Sequence, residues 1–279
     1  GLGTLTFTGT NTYTGTTLIN NGTLALSGGG SLASRVIIPV GRTFDVTGVT
    51  GGNVQNPVSG DGAVNGSVVA ASSMAIYPGT DGTVGTLTFN NDLDMTAGGS
   101  IALDLSTSHL SGNDQLNVTG NLTVSSATVI HIRALSGPAN LSTGGNYILC
   151  TAGGTLTVSS APALAWDGTL PANYLNYSVA QVGNSLVLQY TAATAPTVAA
   201  TSTPATVVRN QSLVVTATVT LGSGVVTNVQ ADASQLRGSA SAALVLSGTA
   251  NVYTNTFIVP SALTPGTKLL TIVAKANTG

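Results

Sequence analysis

Four aspartates between residues 92 and 114 form the densest group of side chains in this chain that could do chemistry: Asp92, Asp94, Asp104 and Asp114. Carboxylates that converge on one face of a sheet can bind Ca²⁺, and a pair about 5 to 9 Å apart can act as acid and base in sugar-chain cleavage. The simpler interpretation is that outward aspartates keep a charge-poor sheet soluble and discourage edge pairing. We favour this structural role and keep calcium binding and sugar cleavage as alternatives.

Two histidines and one cysteine are the other candidates for reactive groups. His131 alternates with apolar neighbours in TVIHIR, so we expect it to point outward with Arg133 on a solvated strand face. His109 lies five residues before Asp114 and could join an acid-base or metal site, but no second His or Cys stands at ligand spacing. Cys150 has no cationic neighbour in the sequence and is predicted to be a small buried hydrophobe.

A cluster of aromatic residues follows later in the chain, at Trp166, Tyr174 and Tyr177. Aromatic faces suit sugar rings, so these residues are a candidate glycan-binding platform. The alternative is that they close the end of the folded domain, and we favour this capping role. The chain contains no phosphate-binding loop, dinucleotide fingerprint or nucleophile elbow, so we expect no cofactor and no enzymatic activity.

The composition excludes several classes of protein. Only 6% of residues are charged and the net charge is -2, which removes the basic surface that phosphate binding requires. We therefore expect no nucleic-acid partner. No apolar run approaches the roughly 18 to 20 residues of a membrane helix, so we expect no membrane insertion. A hydrophobic content of 42% is ample for a continuous core.

Short strand patterns separated by Gly and Asn turns recur along residues 1–190. Apolar and polar residues alternate with period two, which predicts strands with one face inward. Similar phrases recur at a nearly constant spacing, as from Leu5 to Leu24 and from Leu24 to Phe44. This spacing predicts a parallel β-solenoid of roughly eight or nine coils, each of about 20 to 24 residues. Asp94 and Asp104 would then align on adjacent coils. An antiparallel sandwich or barrel is the competing architecture.

The composition changes near residue 191. Ala, Thr and Pro dominate residues 191–204, which predicts an extended linker. Longer alternating runs then occupy residues 205–279 and predict an antiparallel sandwich. The fold class is thus all-β, with a β-solenoid followed by a sandwich.

The opening phrase GLGTLTFTGTNTYTG and the following NGTLALSGGG resemble the autotransporter-associated β-strand repeat of bacterial surface and secreted proteins. The resemblance implies a β-helix passenger with an extracellular or cell-surface location and no shared catalytic residue. The phrases VVTNVQADASQL and VYTNTFIVPSALTPGTKLLTIVAKANTG are similar to bacterial immunoglobulin-like surface modules. In that pattern one more strand follows TIVAKANTG, so we expect the module to lack its last strand.

These features together predict an extracellular structural protein. A strand pattern begins at Leu2, so we expect no capping segment before the first coil. The last module is expected to lack one strand. Both ends would be covered by head-to-tail self-association into a filament or homo-oligomer, or by the rest of a long surface protein. Adhesion to glycans or host surfaces is the first alternative, and a β-helix polysaccharide lyase or hydrolase is the second. The residues expected at the assembly surfaces are Gly1, Leu2, Leu5, Phe7, Leu269 and Ile272.

Overall fold

A computed structural model describes residues 2–80 and 82–277. Gly1, from the predicted assembly set, lies outside the described residues. The chain forms two compact units, Gly1–Thr191 and Ala192–Gly279. The helices of the described residues are three single 3₁₀ turns at Thr50–Gly52, Tyr174–Asn176 and Ser234–Leu236.

The first unit is a stack of coils with three faces. In chain order, one strand joins the first face, the next joins the second and the next joins the third, and the described residues repeat this rotation seven times. All strand pairs between successive coils are parallel, with the second face interrupted between β5 and β8, whose ranges follow. The first face comprises β1 (Thr4–Phe7), β4 (Thr23–Gly28), β7 (Thr43–Val49), β10 (Ala63–Asn65), β13 (Thr86–Asn90), β16 (Gln115–Val118) and β19 (Tyr147–Ala152). The second face comprises β2 (Thr10–Asn11), β5 (Ser31–Leu32), β8 (Asn53–Val54), β11 (Val68–Ala70), β14 (Leu93–Asp94), β17 (Leu122–Val124) and β20 (Leu156–Val158). The third face comprises β3 (Thr17–Leu18), β6 (Val36–Ile38), β9 (Val58–Gly60), β12 (Ala75–Pro78), β15 (Ser100–Leu105), β18 (Val129–Ala134) and β21 (Ala163–Asp167).

The core of this unit consists of apolar side chains stacked in columns along the coil axis. Because the strands pair in register, residues at equivalent positions of successive coils lie directly over one another. On the third face, Ile76, Ile101 and Ile130 are paired in this way and fully buried. Each such side chain contributes about 1.5 to 3 kcal/mol of hydrophobic stabilisation. The corresponding column on the first face is Leu5, Leu24, Phe44, Val64, Phe89, Val118 and Ala152.

The coils lengthen along the chain. The first coil is short, since Leu5 already pairs with Leu24. Further on, Asp104 pairs with Arg133 at a separation of 29 residues. Asn117 then pairs with Thr151 at a separation of 34 residues. The expectation of roughly eight or nine coils was wrong in number, since the described residues form seven: the later coils carry loops, and residues 177–190 form an antiparallel hairpin.

An antiparallel hairpin covers the last coil on the first face. Its strands are β22 (Tyr177–Val182) and β23 (Ser185–Tyr190), and β23 pairs with β19. The direction of pairing changes here because the connection between the two strands is a tight turn at Gly183 and Asn184, and a short turn can join only antiparallel neighbours. Parallel stacking therefore ends at β19.

The second unit consists of two antiparallel sheets around a separate core. Leu213, Val215, Ala217 and Val219 alternate inward from one sheet and meet Val229 from the other. One sheet has the order β24 (Thr197–Thr203), β25 (Ser212–Thr220), β29 (Val252–Ile258) and β28 (Val245–Leu246), and the other has the order β27 (Ala242–Ala243), β26 (Val225–Asp232) and β30 (Thr271–Asn277). The immunoglobulin-like plan stays a prediction.

Half of the predicted linker is in fact a strand. Thr197–Thr203 pairs with β25 at all seven positions. Its alternating Thr, Val and Ala residues favour extended backbone, and Pro196 and Pro204 lie just outside it, where missing N–H donors do not disturb the ladder. The prediction of a linker over 191–204 is therefore corrected for residues 197–203.

Candidate functional site

The main concentration of charge lies on the outer surface of the third face. Asp104 on β15, Arg133 on β18 and Asp167 on β21 occupy equivalent positions of three successive coils. They point outward because the alternate positions of the same strands, such as Ile132, are buried in the core. The register thus brings together charges that are distant in the sequence.

One ion pair and one hydrogen bond connect this ladder of charged groups on the third face. The Arg133 guanidinium donates from Nε to Asp104 Oδ1 at 2.6 Å and from Nη2 to Oδ2 at 2.5 Å. His131 Nδ1 lies 3.0 Å from Asp167 Oδ1. The expectation of a merely solvated His131 and Arg133 face was incomplete, since each side chain has a carboxylate partner. The sequence carried no signal for these pairs, because the coil length differs from one coil to the next.

Asp114 is buried beneath the ladder, with 2% of its surface exposed. Its Oδ1 accepts a hydrogen bond from the Gly85 N–H at 2.7 Å and its Oδ2 accepts one from the Asp104 N–H at 2.8 Å. Burial raises the pKa of Asp114 to about 7, although both backbone hydrogen bonds act in the opposite direction. The carboxylate therefore connects the Gly85 loop and the Asp104 strand to its own segment. Its ionised form is destabilised by burial.

Glycine is required where the neighbouring loop approaches Asp114. A β carbon on Gly85 would overlap the Asp61 carboxylate and the backbone of Gly79. A larger residue at position 85 would displace the N–H that Asp114 accepts. Gly85 therefore approaches closely enough for its N–H to donate a hydrogen bond to the next coil.

A small cavity of about 120 Å³ opens between these groups. Tyr77 and Pro78 from the preceding coil line it together with Asp104, Asp114 and Arg133. The Arg35 guanidinium carbon lies 4.5 Å from the centre of the Tyr77 ring, a cation–π contact that holds the ring against this surface.

The four aspartates predicted as a calcium or catalytic set do not converge. Asp94 lies on β14 of the second face and Asp104 on β15 of the third face, in the same coil. The expectation that they align on adjacent coils was wrong, because the short segment between them carries the chain only to the next face. Asp92 caps the N–H of Asn121 at 2.7 Å. Among the described residues, no three acidic, His or Cys side chains form a metal-binding group.

His109 is also removed from the acidic group. Its Nδ1 lies 2.9 Å from Ser142 Oγ, and its ring packs edge-on against Tyr147 at 6.3 Å between centres. The suggested partnership of His109 with Asp114 is therefore not formed. The ring belongs instead to an aromatic cluster on the late coils.

The predicted aromatic residues do meet. The ring of Trp166 contacts Tyr174 at 6.1 Å and Tyr177 at 6.3 Å between centres, both edge to face. Tyr177 is buried, and its hydroxyl donates to the Ser142 carbonyl at 2.7 Å. Burial, with a smaller contribution from Tyr147, raises the pKa of Tyr177 to about 12. Rings packed against one another at steep angles favour the capping role over a flat sugar platform.

The single cysteine is buried in the core. Cys150 is fully enclosed on β19, paired with Leu116 of the preceding coil. Burial raises the pKa of its thiol to about 12. A thiol that stays protonated is a poor nucleophile and a poor metal ligand.

The predicted assembly residues divide between the two units. Leu2 and Leu5 at the first coil are 87% and 60% exposed, and Phe7 is partly buried against the core. In the second unit Leu269 is 68% exposed, whereas Ile272 packs partly against its core.

Stacked parallel coils with a continuous apolar interior are the architecture of β-solenoid proteins. Residues 1–26 match the family model described as passenger-associated-transport-repeat. This match supports the predicted autotransporter passenger repeat and indicates an extracellular or surface protein. No curated protein and no solved structure matches the chain. A search of the described residues finds no helix with the length and apolar character to cross a membrane.

Proposed function

We propose that this chain is a structural part of a bacterial surface protein, either a filament subunit or a segment of a long surface protein, joined head to tail. The observation that carries the proposal is the stack of parallel coils around a continuous apolar core, together with the match of residues 1–26 to the passenger-associated-transport-repeat. In such a stack each coil contacts only its neighbours, so the fold serves as a scaffold rather than as a closed pocket.

The charged ladder supports a structural rather than an enzymatic role. Both oxygens of Asp114 already accept backbone hydrogen bonds, and both oxygens of Asp104 are held by Arg133. A carboxylate that acts as acid or base must reach a proton on the substrate. These two carboxylates instead fix the loops and coils to one another.

The strand order of the second unit supports an immunoglobulin-like module. If β27 is treated as a short addition beside β26, the other six strands of this unit correspond to strands A to F in chain order. The sheet β24, β25, β29 and β28 then has the order A, B, E, D. This is the ABED order of the immunoglobulin plan, and β26 beside β30 corresponds to strands C and F.

Negative-stain electron microscopy and sedimentation velocity test the proposal. We expect the purified chain to form concentration-dependent linear assemblies. Only monomers at high protein concentration, with no fibres on the grid, would contradict the filament form. The variant Leu110→Asp, which changes an exposed loop leucine on a later coil, is the control. It should assemble like the wild type, which would show that the assembly does not depend on exposed leucines in general.

A further inference from the structure

The small cavity on the third face has one apolar wall and one polar wall. The apolar wall consists of the Tyr77 ring, the Pro78 ring and the Ala102 methyl group, and the polar wall includes Asp104 and Arg133. The volume of about 120 Å³ is that of about four molecules of liquid water. Walls of both kinds suit a small molecule that has an apolar face and a polar edge.

The Tyr77 ring is held in place beside this cavity. The Arg35 guanidinium carbon lies 4.5 Å from the centre of the ring, and Arg35 Nε donates to Ser59 Oγ at 3.0 Å. Ser59 is buried and pairs with Tyr77 from the preceding coil. Because Arg35 covers one side of the ring, the ring needs little reordering when a ligand enters, which lowers the entropic cost of binding.

A small side chain keeps the space beside Tyr77 open. Ile76 pairs with Ile101 of the next coil, and Tyr77 and Ala102 are the outward residues that follow this pair on their strands. Both line the cavity. Neighbouring strands are only about 4.8 Å apart, so a larger outward residue at position 102 would fill the recess.

The polar wall presents donors and acceptors side by side. Both oxygens of Asp104 hold the Arg133 guanidinium, and both oxygens of Asp114 accept backbone N–H groups. A carboxylate has about four acceptor positions, so each keeps capacity for a further donor. A metal ion would compete with the donors already bound, and a charged organic ligand would meet charges of both signs. A hydroxyl group both donates and accepts, and therefore fits this wall.

The cavity is open to solvent on one side. The Asp167 side chain is 49% exposed and that of Asp104 is 10% exposed, and both line the cavity. Thr80, which is exposed, contributes a hydroxyl group to the lining. A ligand can therefore place one ring in the cavity while the rest of it stays in water.

We propose that this cavity binds one neutral sugar residue of a glycan. The C–H face of the sugar ring packs against Tyr77 and Pro78, and its hydroxyl groups bond to Asp104, Arg133 and Asp167. This function goes beyond the structural role and does not depend on assembly, so a monomer binds equally well. Since a single ring contributes few contacts, the dissociation constant is on the order of millimolar.

Saturation-transfer difference NMR with the full chain tests the class of ligand. The neutral probes are the methyl glycosides of glucose, galactose, mannose and N-acetylglucosamine, and the charged probes are methylammonium chloride and sodium acetate. We expect at least one glycoside to receive saturation and neither charged probe to do so. No signal from any glycoside, or a signal from a charged probe alone, would overturn the proposal.

Two substitutions locate the binding in the cavity. Ala102→Leu fills the recess and Tyr77→Ala removes the apolar wall, so each should weaken glycoside binding at least tenfold. Tyr13→Ala is the matched control, because Tyr13 is an exposed tyrosine outside the cavity lining, and it should bind like the wild type. Glycoside binding that persists in Ala102→Leu, or that is lost only in Trp166→Phe, would contradict this site.

A conservative pair of variants guards against loss of folding in these substitutions. Asp167→Asn changes an exposed acceptor of the cavity and should weaken glycoside binding severalfold. Asp45→Asn, on the first face of the stack, should leave the binding unchanged. Circular dichroism melting curves establish that each variant is folded. Equal binding by the two folded aspartate variants would count against a role for Asp167 and overturn the proposed contact.

Discussion

Asp104 and Arg133 lie opposite each other on successive coils of the third face, and the guanidinium holds the carboxylate through two hydrogen bonds. The two residues are 29 positions apart, the length of one coil at this level. The ion pair therefore forms only when the two coils stack in this register. Both residues line the small cavity next to Asp114.

Removal of Arg133 should destabilise the solenoid. Arg133→Met leaves the largely buried Asp104 carboxylate without its charged partner, and we expect a loss of about 2 kcal/mol in the free energy of unfolding. Asp167→Asn, which affects the more exposed pair with His131, should cost less than about 1 kcal/mol. Urea denaturation of both variants checks this order. Equal losses would show that the Asp104 pair has no special role.

Asp114 should make the stability depend on pH. Its pKa is about 7 in the folded protein, against an ordinary value of 3.8, so the folded state binds the proton more tightly than the unfolded state. The resulting stabilisation is fully present below about pH 3.8 and is lost as the pH rises through about 7. We expect the urea midpoint of the wild type to fall between pH 5 and pH 8.

Asp114→Asn should flatten this dependence because the titrating group is absent. It should also lower the stability at all pH values, since an amide offers one acceptor oxygen to the two backbone N–H groups. Thr88→Ala, which changes no ionisable group, is the control and should keep the wild-type slope. An unchanged slope in Asp114→Asn would show that another group titrates.

Truncation in the core column should be severe. Phe89 is fully buried between Val64 and Val118 of the neighbouring coils. Phe89→Ala should cost about 3 to 5 kcal/mol through lost contacts and a residual cavity. Thr88→Ala, at the adjacent outward position, should change the stability by less than about 0.5 kcal/mol. Chemical denaturation of both variants provides the measurement.

The aromatic cluster should act in stability rather than in sugar binding. Trp166→Ala removes the ring that contacts Tyr174 and Tyr177, and we expect a loss of about 3 kcal/mol, with Trp166→Phe recovering part of it. Thermal unfolding followed by circular dichroism measures the loss. A glycan-array signal that disappears in Trp166→Ala while the protein remains folded would favour the adhesive alternative instead.

Cys150 should react only when the first unit unfolds. Its thiol is enclosed in the core and its pKa is about 12, so a thiol-specific chromogenic disulfide should show no reaction with the native protein at pH 8. Full reaction is expected in concentrated guanidinium chloride. Rapid labelling under native conditions would show that the stack opens around β19.

The strand content and the inward residues of the first unit could be predicted from the sequence, because alternation and Gly or Asn turns are local properties. Phe44, Phe89 and Ile101 are all buried as their positions in the alternation indicated. The same local signals predicted β25, β26 and β29. They missed β24, because a Thr- and Ala-rich segment between prolines has the composition of a linker. Only its pairing with β25 in the folded unit identifies it as a strand.

The meeting of Asp104 with Arg133 and the separation of Asp94 from Asp104 were decided by the tertiary structure. Those relationships depend on the length of each coil, which grows as loops are added and reaches 34 residues between Asn117 and Thr151. No local pattern encodes that length, because only the closing of each coil onto the previous one fixes which residues face each other. The amphipathic strands therefore follow from the amino acids themselves, and the surface chemistry follows from the register in which the coils stack.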